Sequence, residues 1–332
     1  MQVANGLRFE FNPGLAQVSE LMRNVWEPPC LRYDEQVLRL HITRPTADPS
    51  LALAQTTPDG LPVSFHALVP FDVFYYGQRY KAVFASFLTV ARELQGRGVA
   101  GQMLDALLEV AAERGYDLYL CMCEEGAPSN RAAQRALARR CLSLDRISVF
   151  GYLASLNELL QPVLPRQQQG RTRRYHRLDR QAVTDLLDGF GHAAPLRKVV
   201  HEDDVDFVFY DRPCTETFVF EDRGRIRGVV NLLLLEALEP AARLNAYCEH
   251  VEFSDMTLDE QSEFLSDVLL AIQERNPHAV FIPNIGYFPL EPFRRFRFRL
   301  APRRINLYMA VLKSGPLPRG ARAVERFCLD VF

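Results

Sequence analysis

A short glycine-rich segment stands directly before an apolar helix pattern. Residues 92–104 read RELQGRGVAGQML and contain the spacing Gln95-x-x-Gly98-x-Ala100, shortly after a predicted strand that ends at Val90. The first turn of a helix has unpaired backbone N–H groups and the positive end of the helix dipole, and glycine lets a ligand come close to that backbone. The segment therefore predicts an anion site. It is neither the GxGxxG dinucleotide fingerprint nor a P-loop, because both spacings are absent.

Carboxylates stand near the ends of two further predicted strands. Glu124 and Glu125 follow the predicted strand 116–123, where a carboxylate could accept a proton from an amine, and a solvated turn is the alternative reading. Asp72 and Tyr75 lie late in a long predicted strand pair, and the solubility of an edge strand explains them equally well. Glu124, Glu125 and Asp72 are thus the candidates for a general base.

The seven cysteines are scattered and have neither CxxC nor Cys/His ligand spacing, so no metal site is predicted. Cys121 and Cys123 point to one face of a predicted strand. A covalent acyl-cysteine is conceivable there, but no His/Asp partner is indicated. Packing as small hydrophobic side chains is the better interpretation.

Length and composition bound the class of protein. A chain of 332 residues exceeds one typical core, so two domains are expected. The formal net charge of −2, from 39 basic and 41 acidic residues, gives no indication of nucleic acid or membrane as a partner. No signal peptide or membrane-spanning run is evident, and a cytoplasmic location is expected. The oligomeric state stays open.

The hydrophobic pattern divides the chain into two halves of similar outline. Residues 1–160 predict the order β-α-α-β-β-β-α-β-α-β. Residues 161–174 contain two prolines, a glutamine run and a glycine, which is typical of an exposed linker. Residues 175–332 repeat the outline of the first half without repeating its residues.

The glycine segment resembles the pyrophosphate loop of the GNAT superfamily, the acyl-CoA-dependent N-acyltransferases. Residues 90–93 read VARE where that family usually has V-x-P-E, with Arg92 in place of proline. The run SNRAAQRAL supplies Asn130 and Ala133 of the family's Asn-x-x-Ala helix opening. The resemblance implies an α/β (α+β) fold with tandem GNAT-like domains, each a mixed, mostly antiparallel sheet flanked by helices.

The same resemblance implies acetyl-CoA or another acyl-CoA as co-substrate, without a metal. The acyl-CoA would lie in a splay between the predicted strands 80–90 and 116–123. The implied contacts come from one strand, from the loop and from the next helix: Leu88, Thr89, Val90, Gln95, Gly96, Arg97, Gly98, Val99, Ala100 and Asn130.

The equivalent junction in the second half, VEFSDMTLDEQSEFL, has no glycine. Thr257-x-x-Glu260 is a capping box that satisfies the helix N-terminus with its own side chains, and the neighbouring acidic residues would repel a diphosphate. One acyl-CoA per chain is therefore expected. Two GNAT-like units with one cofactor site resemble the layout of protein N-myristoyltransferases. The C-terminal carboxylate of that family is not transferred to this chain, because more residues follow the last predicted strand.

The sequence predicts an enzyme that moves an acyl group, with acetyl favoured, from acyl-CoA to an amine. Many GNAT enzymes use a tyrosine as general acid seven residues after the helix-opening asparagine, and this chain has Leu137 there. That departure favours an alternative, a non-catalytic acyl-CoA-binding or interaction protein. Long-chain acyl groups, carrier proteins and aminoacyl-tRNA stay open as donors. The amine acceptor, small molecule or peptide, is not identified.

Overall fold

The structure, a computed structural model, describes residues 6–43, 47–124, 127–140, 142–160, 170–191, 194–212, 214–239, 241–312 and 322–329. The strands are β1 (Arg8–Phe11), β2 (Cys30–Leu31), β3 (Ala52–Thr56), β4 (Pro62–Tyr75), β5 (Gln78–Val90), β6 (Leu118–Glu124), β7 (Asp145–Leu156), β8 (Thr172–Arg174), β9 (Leu196–Lys198), β10 (Thr215–Asp222), β11 (Arg225–Glu239), β12 (Ala241–Phe253), β13 (Ala279–Pro283), β14 (Arg299–Val311) and β15 (Phe327–Cys328). The helices are α1 (Leu15–Val25), α2 (Glu35–Ile42), α3 (Val99–Glu113), α4 (Pro128–Arg139), α5 (Arg180–Gly191), α6 (Glu202–Asp206), α7 (Leu258–Gln273) and α8 (Glu291–Arg294).

The chain forms two compact units, and neither is a single stretch of sequence. Unit 1 comprises residues 1–27, 32–149 and 305–324. Unit 2 comprises residues 28–31, 150–304 and 325–332.

Unit 1 is built on a sheet with strand order β1-β3-β4-β5-β6-β14. Neighbouring strands are antiparallel except for β5 and β6, which are parallel and are connected through α3. One apolar cluster joins the sheet to α3 and α4 through residues such as Met103, Leu107 and Leu137. A second cluster, around Val18 and Phe65, joins the sheet to α1 and α2. Helices therefore cover the sheet through two separate cores.

Unit 2 repeats this plan with strand order β7-β13-β12-β11-β10-β8. Its parallel pair is β12 with β13, connected through α7, and the other neighbours in this order are antiparallel. The core on one side contains Val183, Val205 and Val219, from α5, α6 and β10. A π-helical turn, Phe207–Asp211, continues directly from α6.

The last strand of each sheet comes from the opposite half of the sequence. In unit 1, residues 305–311 of β14 pair with β6, from Ile305↔Glu124 to Val311↔Leu118. In unit 2, residues 152–156 of β7 pair with β13. Strand β7, which ends the first half of the sequence, thus completes the sheet of unit 2, and β14, from the second half, completes the sheet of unit 1.

The predicted fold class is confirmed, since both sheets are mixed, mostly antiparallel and flanked by helices. In the predicted linker 161–174, residues 161–169 lie outside the described residues, and Thr172–Arg174 form β8 instead of extended connector. The predicted division into domains 1–160 and 175–332 stays a prediction. Within the described residues, no helix is long and apolar enough to cross a bilayer. The same residues contain no group of three or more His, Cys, Asp or Glu side chains that could hold a metal.

Candidate functional site

Two glycines shape the turn between β5 and α3. Gly96 has φ +76° and Gly98 has φ +82°, in the left-handed region that side chains rarely adopt. A Cβ atom at either position would have no neighbouring atom within 4 Å, so the backbone of the turn borders open space. Gly98 is the N-cap of α3 and provides no side-chain cap. The turn therefore leaves the helix N-terminus accessible to an anion.

The first turn of α3 is held firmly at its sheet-facing side. The first intrahelical bond runs from the N–H of Gln102 to the carbonyl of Gly98, 3.1 Å, so the N–H groups of residues 99–101 have no acceptor within the helix. The side chain of Gln102 accepts a bond from Gln55, which in turn accepts one from Ser64. This buried amide chain fixes the helix start against β3 and β4.

Helix α4 approaches α3 closely beside the same turn. A Cβ at Gly101 would lie 3.1 Å from Nη2 of Arg139, so a side chain at this position would crowd the guanidinium group. The same Nη2 lies 2.6 Å from the Asp105 carboxylate. The pair is half exposed and is worth little by itself, but together with the small residue it sets the spacing of the two helices.

Strands β5 and β6 separate towards the glycine turn. Their last register pair is Ala85↔Cys121, while β5 continues to Val90 and β6 to Glu124. On the other side of β5, the N–H of Ala91 donates to Val63, and successive backbone groups of a strand face opposite ways. The backbone groups of Val90 and Leu88 therefore face the splay.

Two residues of this region, Gln95 and Thr89, make contacts within the protein that differ from the predicted contacts with the co-substrate. The side chain of Gln95 donates to the carbonyl of Val90 over 3.0 Å and so occupies an acceptor that faces the splay. Thr89 pairs with Phe65 of β4. Its hydroxyl donates to the carbonyl of Phe87 and accepts from Trp26. The backbone of Thr89 thus faces β4, unlike the predicted contact with the co-substrate.

A β-bulge in β5 is a feature that the sequence analysis missed. The register passes from Ala67↔Ser86 to Phe65↔Thr89, so Phe87 and Leu88 together stand opposite a single residue of β4. Phe87 has φ +62°, a backbone conformation that is strained for a bulky residue. The bulge turns backbone amides out of the ladder at the level where the splay opens. The bulge is visible only in the register of β4 with β5, and no pattern in the sequence indicates it.

His66 stands opposite this bulge on β4. Its Nδ1 lies 3.0 Å from the carbonyl oxygen of Ser86, which makes Nδ1 the protonated nitrogen, and Nε2 has no hydrogen-bond partner among the described residues. Burial lowers the pKa of His66 to about 4, against the hydrogen bond to Ser86, which raises it. The imidazole is therefore neutral at physiological pH.

Asn130 lies in the first turn of α4, where the resemblance places it, and it is buried with no partner for Oδ1 among the described residues. Its side chain interacts with the hydroxyl of Tyr308, on β14. Burial raises the pKa of Tyr308, and the Asn130 amide lowers it. Tyr308 pairs with Cys121, the last β6 residue before the splay. Sequence analysis could not place Tyr308 here, because only the exchanged strand brings it to unit 1.

The thiols on this face are not nucleophiles. Burial raises the pKa of Cys121 strongly, and it raises the pKa of Cys123 to about 11. A thiol attacks as the thiolate, so both side chains are unreactive at neutral pH. Their packing role, preferred in the sequence analysis, fits this environment.

The structure places two of the three predicted general bases, and they lie far apart. Glu124 ends β6 beside the splay, and its side chain is exposed. Glu125 lies outside the described residues. Asp72 is misplaced: it pairs with Lys81, nine residues before Val90, which is about 30 Å along the strand. Asp72 forms an ion pair with Arg79 near the hairpin end and has no part in the splay.

The equivalent helix start in unit 2 is sealed. Thr257 accepts a bond from the N–H of Glu260, 3.3 Å, and the Glu260 carboxylate accepts from the N–H of Thr257, 2.9 Å. These bonds lower the pKa of Glu260, as does Arg227, whose guanidinium lies 3.0 Å away. The predicted capping box is confirmed. A diphosphate at this end of α7 would meet carboxylates instead of N–H groups.

Comparison with known proteins agrees with this geometry. Residues 15–141 match the Acetyltransferase (GNAT) family. A crystal structure of Saccharomyces cerevisiae N-myristoyltransferase with bound myristoyl-CoA is similar with a TM-score of 0.76 at 11% identity, over 98% of this chain and 90% of that one. A conserved protein from Enterococcus faecalis V583, described as a probable N-acyltransferase, has a TM-score of 0.55 at 13% identity, over 92% of this chain and 72% of that one. No curated protein matches the sequence.

Residues 15–141, which contain the glycine turn and the splayed parallel strands, match the GNAT family, in agreement with the resemblance that the sequence indicated. The likeness to N-myristoyltransferase over nearly the whole chain shows the same tandem fold. At these identities the structural likeness concerns the fold and not the substrate.

Proposed function

We propose that the chain transfers an acyl group from acyl-CoA to an amine and that it binds one acyl-CoA, in unit 1. The observation that carries the proposal is the contrast between two equivalent helix starts. The N-terminus of α3 follows left-handed Gly98 and has no cap, whereas the N-terminus of α7 is closed by Thr257 and Glu260. A diphosphate gains N–H donors at the first and meets acidic groups at the second.

The proposed binding residues are those of the loop and of the splay. Backbone N–H groups from Gln95 to Ala100 hold the diphosphate, and exposed Arg97 adds a cation beside it. The backbone groups of Leu88 and Val90 pair with the pantetheine arm. Asn130 lies at the inner end of the splay, near the thioester.

The chemistry then needs a polarised carbonyl, a base and an acid. The bulge at Phe87 and Leu88 supplies backbone amides that polarise the thioester carbonyl. The amine nitrogen forms the new C–N bond as the C–S bond breaks, and the ammonium proton passes to Glu124, directly or through water. Tyr308 gives its proton to the departing thiolate. It thereby acts as the general acid in place of the tyrosine that many GNAT enzymes have at the position of Leu137.

The acyl chain length is the finer part of the proposal. The matched family is described as an acetyltransferase family, which favours an acetyl group. The similar yeast structures contain myristoyl-CoA, which favours a longer acyl chain. We retain acetyl as the first candidate and a longer acyl chain as the second. The acceptor is an amine of a small molecule or a peptide.

One comparison tests the proposal. Thermal shift is measured with free CoA and with acetyl-, octanoyl- and myristoyl-CoA. The acyl-CoA with the largest shift identifies the chain length, and a lack of any shift would reject the CoA site. Release of free CoA thiol in the presence of an amine library then separates an enzyme from a binding protein, which would bind without turnover.

A further inference from the structure

The β-bulge of β5 turns backbone N–H groups out of the strand ladder, and the carbonyl groups beside them set their direction. The C=O and N–H groups of one trans peptide plane point in opposite directions. The N–H of Phe87 shares a plane with the carbonyl of Ser86, and the N–H of Leu88 shares a plane with the carbonyl of Phe87. A side chain that binds either carbonyl oxygen therefore also aims the N–H group of the same plane.

The carbonyl of Ser86 is bound by a buried imidazole from β4. Nδ1 of His66 lies 3.0 Å from the carbonyl oxygen, and because this oxygen can only accept, Nδ1 is the donor. The side chain of His66 is 2% exposed, and its Nε2 has no hydrogen-bond partner among the described residues. The bond to Ser86 thus accounts for the presence of a polar ring at this buried position, and it points the N–H of Phe87 away from His66.

The carbonyl of Phe87 is bound by a hydroxyl group whose direction is fixed. The hydroxyl of Thr89 donates to this carbonyl over 3.1 Å, and Nε1 of Trp26 donates to the same hydroxyl over 3.0 Å. The indole N–H can only donate, so it occupies a lone pair of the hydroxyl and leaves the hydroxyl proton for Phe87. The N–H of Leu88 consequently points away from Thr89.

These two contacts hold a backbone that is unfavourable by itself. Phe87 has φ +62°, and a bulky residue in this region costs on the order of 1 to 3 kcal/mol unless the surrounding structure holds it. Packing alone does not call for a histidine opposite the bulge, because Leu53, its partner on β3, and Leu68, two residues along β4, belong to an apolar cluster. The hydrogen bonds of His66 and Thr89 hold the peptide planes on both sides of Phe87.

The equivalent strand of unit 2 has a bulge of a different kind. Glu249 is the extra residue there, between Cys248 and His250. Strand β12 lies wholly within the described residues, and none of its residues has a positive φ. Asn231, which pairs with His250, donates over 2.7 Å to Thr217 of β10 instead of to β12. A left-handed bulge with bound carbonyl groups therefore occurs in the unit with the open helix start.

We propose that His66 and Thr89 are positioning residues that aim the N–H groups of Phe87 and Leu88 at the thioester oxygen of bound acyl-CoA. This inference rests on the proposed function and adds two side chains to it. His66 directs the N–H of Phe87, and Thr89, oriented by Trp26, directs the N–H of Leu88. Both act through the backbone and without contact to the co-substrate. Their hydrogen bonds also polarise the two peptide planes, which strengthens the N–H groups as donors.

The carbonyl stretching frequency of a bound thioester tests the proposal without any amine acceptor. The probes are acetyl-CoA and myristoyl-CoA with carbon-13 at the thioester carbonyl, and infrared spectra are recorded with the full chain. Hydrogen bonds to the oxygen lower this frequency, so we expect a downshift on binding to the parent. His66→Leu and Thr89→Val each remove one of the two contacts and should reduce the downshift to about half or less. His66→Asn and Thr89→Ser retain a donor and should restore most of it.

A threonine of unit 2 provides the matched control. The buried hydroxyl of Thr184 donates to the carbonyl of Arg180 over 2.9 Å, so Thr184→Val removes the same kind of bond far from the bulge in sequence and should leave the frequency unchanged. With an amine acceptor from the library, His66→Leu and Thr89→Val should lower kcat by about tenfold while KM for acyl-CoA stays nearly constant, because the co-substrate is bound but its carbonyl is less polarised.

The outcomes separate this proposal from the proposed function. A downshift of equal size in the parent, His66→Leu and Thr89→Val would overturn the proposal, and so would a parent that binds acyl-CoA without any downshift. A reduced downshift that His66→Asn and Thr89→Ser do not restore would assign the two residues a structural role only. A parent that binds no acyl-CoA would instead reject the proposed function, and this inference with it.

Discussion

The side chain of Gln95 lies over the carbonyl oxygen of Val90, with Nε2 at 3.0 Å. The proposed pantetheine contact needs that same oxygen, so the hydrogen bond must break on binding. We predict that Gln95→Ala keeps or raises the affinity for acyl-CoA, by up to about tenfold, because one internal hydrogen bond no longer competes. Calorimetry with the preferred acyl-CoA measures this. A large fall in affinity would instead assign the side chain of Gln95 to the ligand.

An aspartate substitution at Gly98 tests the proposed acyl-CoA site, and the same substitution at Gly77 is its control. Both have φ near +80° and open space around a virtual Cβ, so an aspartate at either costs about 1 kcal/mol of backbone strain. Only Gly98→Asp places a carboxylate at the start of α3. We predict similar losses of stability for the two variants and loss of the acyl-CoA thermal shift in Gly98→Asp alone. An intact shift would locate the co-substrate elsewhere.

Tyr308 is predicted to protonate the leaving thiolate. Tyr308→Phe should lower kcat by about 100-fold while KM for acyl-CoA stays nearly constant, because an acid acts in the chemical step and not in binding. Tyr80→Phe is the matched control, since Tyr80 lies at the opposite end of β5 from the splay. Steady-state kinetics on the three proteins decide. A rise in KM with unchanged kcat would make Tyr308 a binding residue.

His66 predicts an acid-sensitive contribution to stability. Its pKa is about 4 when folded and 6.5 in the reference state, so the folded state disfavours the proton. The neutral form contributes fully above pH 6.5, and the contribution falls as the pH drops to 4, by about 3 kcal/mol in total. Urea unfolding of parent and His66→Gln at pH 7.5 and 4.5 measures the difference. A pH-independent difference would contradict it.

The capping box of α7 provides a prediction for unit 2. Thr257→Ala removes the acceptor for the N–H of Glu260 and should cost about 1 kcal/mol of unfolding free energy, while Thr257→Ser retains it. The acyl-CoA thermal shift should not change in either variant, because the proposed site lies in unit 1. A weaker shift in Thr257→Ala alone would connect α7 to co-substrate binding.

Local signals in the sequence identified the features that depend on neighbouring residues. The glycine turn before α3 and the Thr257 capping box are of this kind, since a helix start depends on a few consecutive side chains. Their positions in the structure agree with the predictions.

Features that depend on distant pairing were not predicted. The bulge at Phe87 appears only when the register of β4 with β5 is known, and Tyr308 reaches Asn130 only through an exchanged strand. The prediction of Asp72 as a general base was wrong for a related reason. The position of a residue along a hairpin does not show which end of the sheet carries the site.

The strand exchange has a consequence for how the chain can be made and cut. A nascent chain that has just completed β6 lacks the partner for that edge until residues 305–311 have been synthesised. A fragment that ends at residue 160 would expose the backbone edge of β6 and invite pairing with another molecule. Expression of the first half alone should therefore produce an aggregation-prone protein, and a working acyltransferase would require both halves to be present during folding.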